Sequence, residues 1–433
     1  MRLLPLAFTS LVLLLGNASV IEMRGEVIPP AAANTNSSFS SAVEALGMLV
    51  QVVSNLQEKV ATKDLSSIHS EDMILNASLA ALLQQANRME PARADSFRAE
   101  IGRFSQIVAR LHFAGDTSQA TKAAAELQEV TRSFESLEGY FPQTTRDSAR
   151  ESALRFVCPV HSDVVGSRSQ TCPKCGARLD QMARILPAFC GLPMPGKDAL
   201  RATITTDKPV ALGQPVTGFL QLAKADGTAV FASDLLLSHG ERIHLLIVDD
   251  SLTDYHHEHP VPAGPGKFTF PFTAQKPGNY HAWAEVRAQP IGFQEYVPAS
   301  IQGTGTSEQS QFVPSTNVVV EGLRYELIFD RDTIYAGRIA SGTLRISDEN
   351  GKPFNKLEPV MEAFVHLVGF YDDRKTILHI HPKGGLVTDS ATRGGPEVQF
   401  QFLPPKAGFL RFFAQTQIDG QRRFAPFTVR VRP

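Results

Sequence analysis

The 433-residue chain has only four cysteines and one tryptophan. So few cysteines exclude a fold stapled by disulfides. None lies beyond Cys190, so the C-terminal half has no thiolate for a blue-copper site. Neither sign of charge is in surplus, with 42 basic and 44 acidic residues. Nucleic acid is therefore not an expected partner, nor is an anionic membrane surface. After residue 15 no apolar run is long enough to cross a bilayer. The chain also lacks G-x-S-x-G, H-E-x-x-H and C-x-x-C-H, and its helical part has no Glu-x-x-His pair for a di-iron site. These absences predict a protein that is not an enzyme.

What is present begins with Met1-Arg2, the apolar run Leu3 to Leu15, and the small residues Gly16 to Ala18. This order is that of a secretory signal peptide over 1–18, and the run is too short to span a bilayer. The expected location is periplasmic or secreted, with no membrane span after cleavage. Residues 19–37, rich in Pro, Ala and Asn, read as a linker.

From 38 to 150 the apolar spacing is helical. Val43, Leu46, Val50 and Val53 form one stripe, and Phe97, Ile101, Phe104, Val108 and Leu111 another. Pro91 suits a helical first turn, and Gly115 to Thr117 mark a stop and a cap. Four amphipathic helices with short connections predict a four-helix bundle. His69 and His112 are isolated in it and read as polar surface or cap residues.

Residues 155–182 hold Cys158 and His161, then ten residues, then Cys172 and Cys175. Three sulfurs and an imidazole on two tight turns suit a tetrahedral ion, Zn²⁺ or Cu⁺ among the biological metals. A Cys172–Cys175 disulfide is the alternative in an oxidising compartment. Cys190, in the Pro/Gly-rich connector that follows, is left over. The segment resembles the bacterial heavy-metal-binding domain, whose pattern is Y-x-C-P-M-H-P, a gap, then C-P-x-C-G-M-x-L. Cys158, Pro159, His161, Cys172, Pro173, Cys175, Gly176 and Leu179 match it. Phe156, Val160, Ser162 and Ala177 depart from it, and the loss of both Met thioethers weakens the case for Cu⁺ more than for zinc. The resemblance implies metal binding and names no metal.

The C-terminal half reads as short strands between Gly, Pro and Asp turns, and it repeats. Gly213, Gly218 and Gly227 recur 124 residues later as Gly337, Gly342 and Gly351. His244, His257, His259 and Pro260 recur 122 residues later as His366, His379, His381 and Pro382. Pro277 to Tyr280 is answered by Lys406 to Phe409, and Ala282 to Ala284 by Phe412 to Ala414. Two immunoglobulin-like antiparallel β-sandwiches are expected over 199–300 and 320–433. The whole chain is then a multidomain α + β protein: helical bundle, Cys/His knuckle and two tandem sandwiches.

The histidines gain meaning from register. A hairpin centred on Asp250 to Thr253 sets His244 opposite His259, and one centred on Asp372 to Lys375 sets His366 opposite His381. Strand side chains alternate, so His257 shares a face with His259 and His379 with His381. Each hairpin is thus expected to gather three imidazoles, a donor set for Zn²⁺ or Cu²⁺. His281 or Glu258 is a candidate fourth ligand in the first module, with each module acting independently. The alternative is that these histidines only brace the hairpins. The paired modules resemble β-sandwich modules of exported bacterial proteins found beside heavy-metal-binding domains or copper-handling proteins, which implies envelope metal association.

The function read from the sequence is an exported transition-metal-binding protein that sequesters, buffers or delivers zinc or copper without catalysis. The competing reading is an envelope adaptor, with a structural zinc knuckle and sandwiches that bind a protein partner.

Overall fold

The computed structural model describes residues 42–433 except 154–155, 159–160, 162–163, 168–169, 180–199, 290–291, 293, 337–339, 381 and 384–385, and except the side chains of 69, 70, 73, 77, 157 and 379. The signal peptide, the linker and Cys190 lie outside the described residues. Residues 42–433 contain helices, a small knuckle and two β-sandwiches within one compact unit, Ser37–Pro433. No helix among the described residues is long and apolar enough to cross a membrane.

The bundle comprises α1 (Ala42–Ala61), a 3₁₀ turn (Leu65–Glu71), α2 (Asp72–Ala86), α3 (Pro91–Asp116), α4 (Ala120–Glu138) and α5 (Gln143–Ala153). Pro91 opens α3 with Glu90 extended before it, the geometry expected when proline pre-sets the first helical turn. Phe97, Ile101, Phe104 and Leu111 of α3 meet Leu46, Leu49, Val52 and Leu56 of α1 in one core. The fifth helix corrects the expected count of four. Only Ala149 and Ala153 of α5 are buried, so its apolar stripe is two methyl groups wide and the sequence gives it no visible period.

Module 1 is β3 (Leu200–Thr206), β4 (Pro215–Lys224), β5 (Ile243–Asp249), β6 (Tyr255–Glu258), β7 (Val261–Gly264), β8 (Lys267–Thr273), β9 (Tyr280–Arg287) and β10 (Gln294–Ile301), after the short knuckle strands β1 (Phe156–Val157) and β2 (Val165–Gly166). Two antiparallel sheets, β3-β4-β8-β7 and β10-β9-β5-β6, enclose a core of Phe268, Phe270, Phe272 and Tyr280. Module 2 is β11 (Asn317–Val320), β12 (Leu323–Phe329), β13 (Ile334–Tyr335), β14 (Ala340–Asp348), β15 (His366–Tyr371), β16 (Ile377–Ile380), β17 (Glu397–Phe402), β18 (Gly408–Ile418) and β19 (Gln421–Arg432). Its sheets are β11-β12-β14-β17 and β13-β19-β18-β15-β16, with β13 parallel to β19.

The repeated glycines have a packing cause. Gly218 pairs with Phe270 on the neighbouring strand, and Gly342 pairs with Phe400. A Cβ on Gly218 would run into the Phe270 ring, and one on Gly342 would lie 2.8 Å from Phe400 Cζ. In each core the tip of a phenylalanine ring therefore occupies the space that a glycine leaves over the backbone. One equivalence shifts by a residue: β9 places His281 beside Val248, and β18 places Arg411 beside Phe370. Tyr280 thus corresponds to Leu410, not Phe409.

The two sandwiches meet face to face. Leu246, Val248, Tyr255 and Trp283 of module 1 form one buried cluster with Val368, Phe370, Ile377 and Phe413 of module 2. Tyr255 stacks on Phe413 with ring centres 4.8 Å apart. The expected independence of the modules is therefore corrected: the sheets carrying the histidines cover each other. A sheet with apolar side chains on both faces must bury both, and β5 is buried along its whole length.

Candidate metal centres

The knuckle is built by two tight turns. In the first, Cys158 donates its backbone N–H to Val164 O (2.9 Å), and Val164 in turn donates to His161 O (2.9 Å). In the second, Gly176 donates to Cys172 O (2.7 Å) and stands at φ +69, a left-handed conformation that favours glycine. Phe156 and Leu179 pack beside the buried Cys158 and Cys172, while Cys175 is exposed. Cys158 Sγ lies 3.6 Å from Cys175 Sγ and 3.7 Å from His161 Nδ1, and Cys172 Sγ lies 3.5 Å from the same nitrogen. A tetrahedral ion with bonds of about 2.3 Å to sulfur and 2.0–2.1 Å to nitrogen needs S···S of roughly 3.8 Å and S···N of roughly 3.6 Å. These three separations fit that shape, and all four donors lie within 4.8 Å of one another. The three described cysteines are free thiols, and 3.6 Å is far beyond the S–S bond length of about 2.05 Å.

The thiols are unequal. Burial works against ionising Cys172, but the N–H groups of Lys174 and Cys175 and the Cys158 thiol outweigh it, and its pKa falls to about 6. At Cys175 the Ala177 N–H pulls the pKa down, yet desolvation and the two other sulfurs prevail and raise it. A set that readily shares out negative charge suits thiolate ligation of a cation.

The second centre lies in module 1. The β5–β6 ladder pairs Leu246 with His257 and Leu245 with Glu258 without a bulge, so His244 and His257 share a face. His244, His257 and His259 each bring a ring nitrogen within 4.8 Å of the others. Their ring centres are 5.3, 5.1 and 5.0 Å apart. Three imidazoles bound tetrahedrally through nitrogens at about 2.0–2.1 Å also have centres roughly 5 Å apart.

Hydrogen bonds fix how these rings are turned. His244 Nε2 lies 2.9 Å from Ser238 O, and a carbonyl only accepts, so Nε2 carries the proton and Nδ1 the lone pair. His257 Nδ1 lies 2.8 Å from Gln415 Oε1 of β18, so this nitrogen donates and Nε2 carries the lone pair. His244 Nδ1 and His257 Nε2 then face each other at 3.1 Å. Two lone pairs at that distance repel unless a cation lies against both, either a metal ion or a proton shared between the rings. Backbone and amide partners on the outer nitrogens are the usual way in which metal-binding histidines are oriented.

The proposed fourth ligands do not join them. Glu258 pairs with Leu245 and falls on the opposite face, as does His256, which binds Asp254 at 3.0 Å. His281 is held by Asp250 at 2.7 Å. Glu241 lies 3.7 Å from His259 Nδ1, and the buried Glu285 of β9 stands directly opposite His244. In module 2, β15–β16 repeats the register, pairing Val368 with His379. His366 is buried and donates through Nε2 to Val360 O (3.0 Å) and Met361 O (3.1 Å). His381 and the His379 side chain lie outside what is described.

Two residues escaped the sequence reading. His239 sits in the turn before β5, with ring centres 6.4 Å from His244 and 6.1 Å from His366. His112 is not a surface residue: Nδ1 contacts Asp72 (2.8 Å) and Nε2 contacts Asp116 (3.1 Å). Burial opposes its charge, but the two carboxylates raise its pKa to about 10.

A helical bundle, a Cys₃His knuckle able to hold a metal ion, and two β-sandwiches packed through histidine-bearing sheets define the class of protein. Residues 197–300 and 318–433, just over half of the chain, each match the family described as Domain of unknown function (DUF8832). The chain belongs to that family, with one copy per sandwich. The match does not reach 155–182, so the likeness of the knuckle to heavy-metal-binding domains rests on its own residues. A comparison with curated proteins gave no match. Among solved structures, FdeC, an Escherichia coli adhesin, is 14% identical with a TM-score of 0.18, covering 54% of this chain and 64% of its own. A putative membrane anchored protein from Corynebacterium diphtheriae is 9% identical with the same score, covering 54% and 59%. The chain thus spans about three fifths of these two structures, and at that score neither likeness carries an argument.

Proposed function

We propose that the protein is an exported, non-catalytic binder of transition-metal ions, zinc or copper, that buffers or delivers them. The observation that carries this reading is the knuckle, whose sulfur and nitrogen donors already stand at the separations of a tetrahedral site. Its exposed Cys175 lets an incoming ligand attack from one side, which suits an ion that is to be exchanged. The triad, with His244 and His257 each 1% exposed, suits a slowly exchanging ion. Export rests on the apolar N-terminal run alone.

The adaptor reading has its own support. His244 and His257 are buried between the sandwiches and hydrogen-bonded to both, as bracing histidines would be. Metal analysis of the purified full chain separates the two. One ion lost in Cys172→Ser/Cys175→Ser and another in His257→Ala is the result expected for a metal binder. Loss at the knuckle alone, with His257→Ala changing only stability, would favour the adaptor.

A further inference from the structure

The joint between the sandwiches is built from matching positions on its two sides. Leu246 and Val368, Val248 and Phe370, and Tyr255 and Ile377 are 122 residues apart and all lie in its buried cluster. Equivalent positions contributed from both sides of an interface are the signature of two-fold pairing, as in an isologous dimer. The starts of β5 and β15 approach through His239, whose ring centre lies 6.4 Å from that of His244 and 6.1 Å from that of His366.

The turns that lead into these strands match as well. Ser238 and Glu241 exchange backbone hydrogen bonds of 2.7 and 3.0 Å, and Val360 and Ala363 exchange bonds of 2.7 and 3.1 Å. Each turn holds a non-glycine residue in the left-handed region: His239 at φ +50 and, 122 residues on, Met361 at φ +49. That conformation is unfavourable for an L-residue with a Cβ, yet both positions carry a side chain able to ligate a metal. Each turn also supplies the carbonyl that orients the following histidine, Ser238 O for His244 and Val360 O for His366. In both, Nε2 donates and Nδ1 keeps the lone pair.

We propose that the joint is a single two-ion transition-metal centre, in which His239 of module 1 completes the ion held from module 2 by His366. The first ion is bound by His244 Nδ1, His257 Nε2 and His259. The second lies between His239 and His366, whose ring centres at 6.1 Å are about 1 Å wider than those of the triad. A half-buried turn residue can close that gap by a small shift. Module 2 already reciprocates, since Gln415 orients His257 across the joint. Loading therefore clasps the sandwiches together, and the two ions do not bind independently. This inference rests on the histidines of the first centre being metal ligands.

The test uses the full chain, stripped of metal and dialysed against Zn²⁺ alone at neutral pH, with zinc per chain counted by mass spectrometry. Three ions are expected in the parent and two in Cys172→Ser/Cys175→Ser. Adding His239→Asn to that double variant should leave one, as should adding His366→Gln. Asn tolerates the left-handed turn, and His239→Gly serves if His239→Asn does not fold. If His257→Ala loses an ion while the His239 and His366 variants keep the parent's count and affinity, the shared centre is wrong and the three-histidine site stands. If His257→Ala loses none, the underlying reading fails as well.

Discussion

His112 offers the sharpest measure of how the bundle is held. Asp72 opens α2 and Asp116 closes α3, and the ring of His112 bridges them. Arg287 of module 1 approaches Asp72 at 3.8 Å, the backbone carbonyl of Asp116 accepts the N–H of Leu386 at 3.0 Å, and burial together with the Asp116 charge raises the pKa of Glu362. The cluster thus ties the bundle to both sandwiches. With a folded pKa of about 10 and an unfolded one near the reference ~6.5, the native state holds a proton that the unfolded chain releases. Stability from this group is complete below about pH 6.5 and is lost as pH rises through about 10. The difference sets a ceiling of about 5 kcal/mol, at roughly 1.4 kcal/mol per pH unit. Urea unfolding of the full chain, followed by helical circular dichroism between pH 6 and 10.5, should show the midpoint falling over that window. His112→Asn should be less stable at pH 7 and should lose this decline. If the parent and His112→Asn fall in parallel, so that their difference stays constant, the charged clamp is refuted.

Local features were legible in the sequence, and features that join distant segments were not. The knuckle could be read because its four ligands lie within 18 residues and the turns between them fix their spacing. The His244–His257–His259 face could be read because a hairpin of known loop length sets its own register. The partner of His257 could not, since Gln415 lies 158 residues away on another module. His239 has no periodic neighbour, and its counterpart in the repeat is Met361, so a search for repeated histidines passes over it. The clamp on His112 was hidden in the same way, because Asp72 belongs to a different helix. Strand alternation predicted the side of the sheet on which the histidines stand, but not what covers that side. Leu246, Val248 and Trp283 were the available signal, as apolar residues on the face opposite the core of a sheet that otherwise reads as one-sided.

The remaining predictions bear on packing and on the two centres. Gly218→Ala should destabilise module 1 by about 1–3 kcal/mol through the Phe270 ring, and Gly218→Ala with Phe270→Leu should recover most of it in thermal unfolding; no loss in the single variant would mean the ring can move aside. Chelation should disorder the knuckle while leaving the sandwich strands protected in hydrogen exchange, because its small core of Phe156, Cys158, Cys172 and Leu179 is separate from theirs. Exchange spreading into β5 would show that the knuckle also props the sandwiches. Gln415→Leu should weaken the triad's affinity for Zn²⁺ about 10–100-fold without touching any ligand. Its Oε1 is the acceptor that keeps the proton of His257 on Nδ1; without it, the proton can move to Nε2 and form an ordinary hydrogen bond to His244 Nδ1, which consumes both lone pairs. Gln415→Glu supplies a stronger acceptor in the same place and should hold or raise the affinity. A competition titration on a background lacking Cys172 and Cys175 reads both variants directly. Equal affinities for Gln415→Leu and Gln415→Glu would show that the proton on His257 is set by something other than the second module.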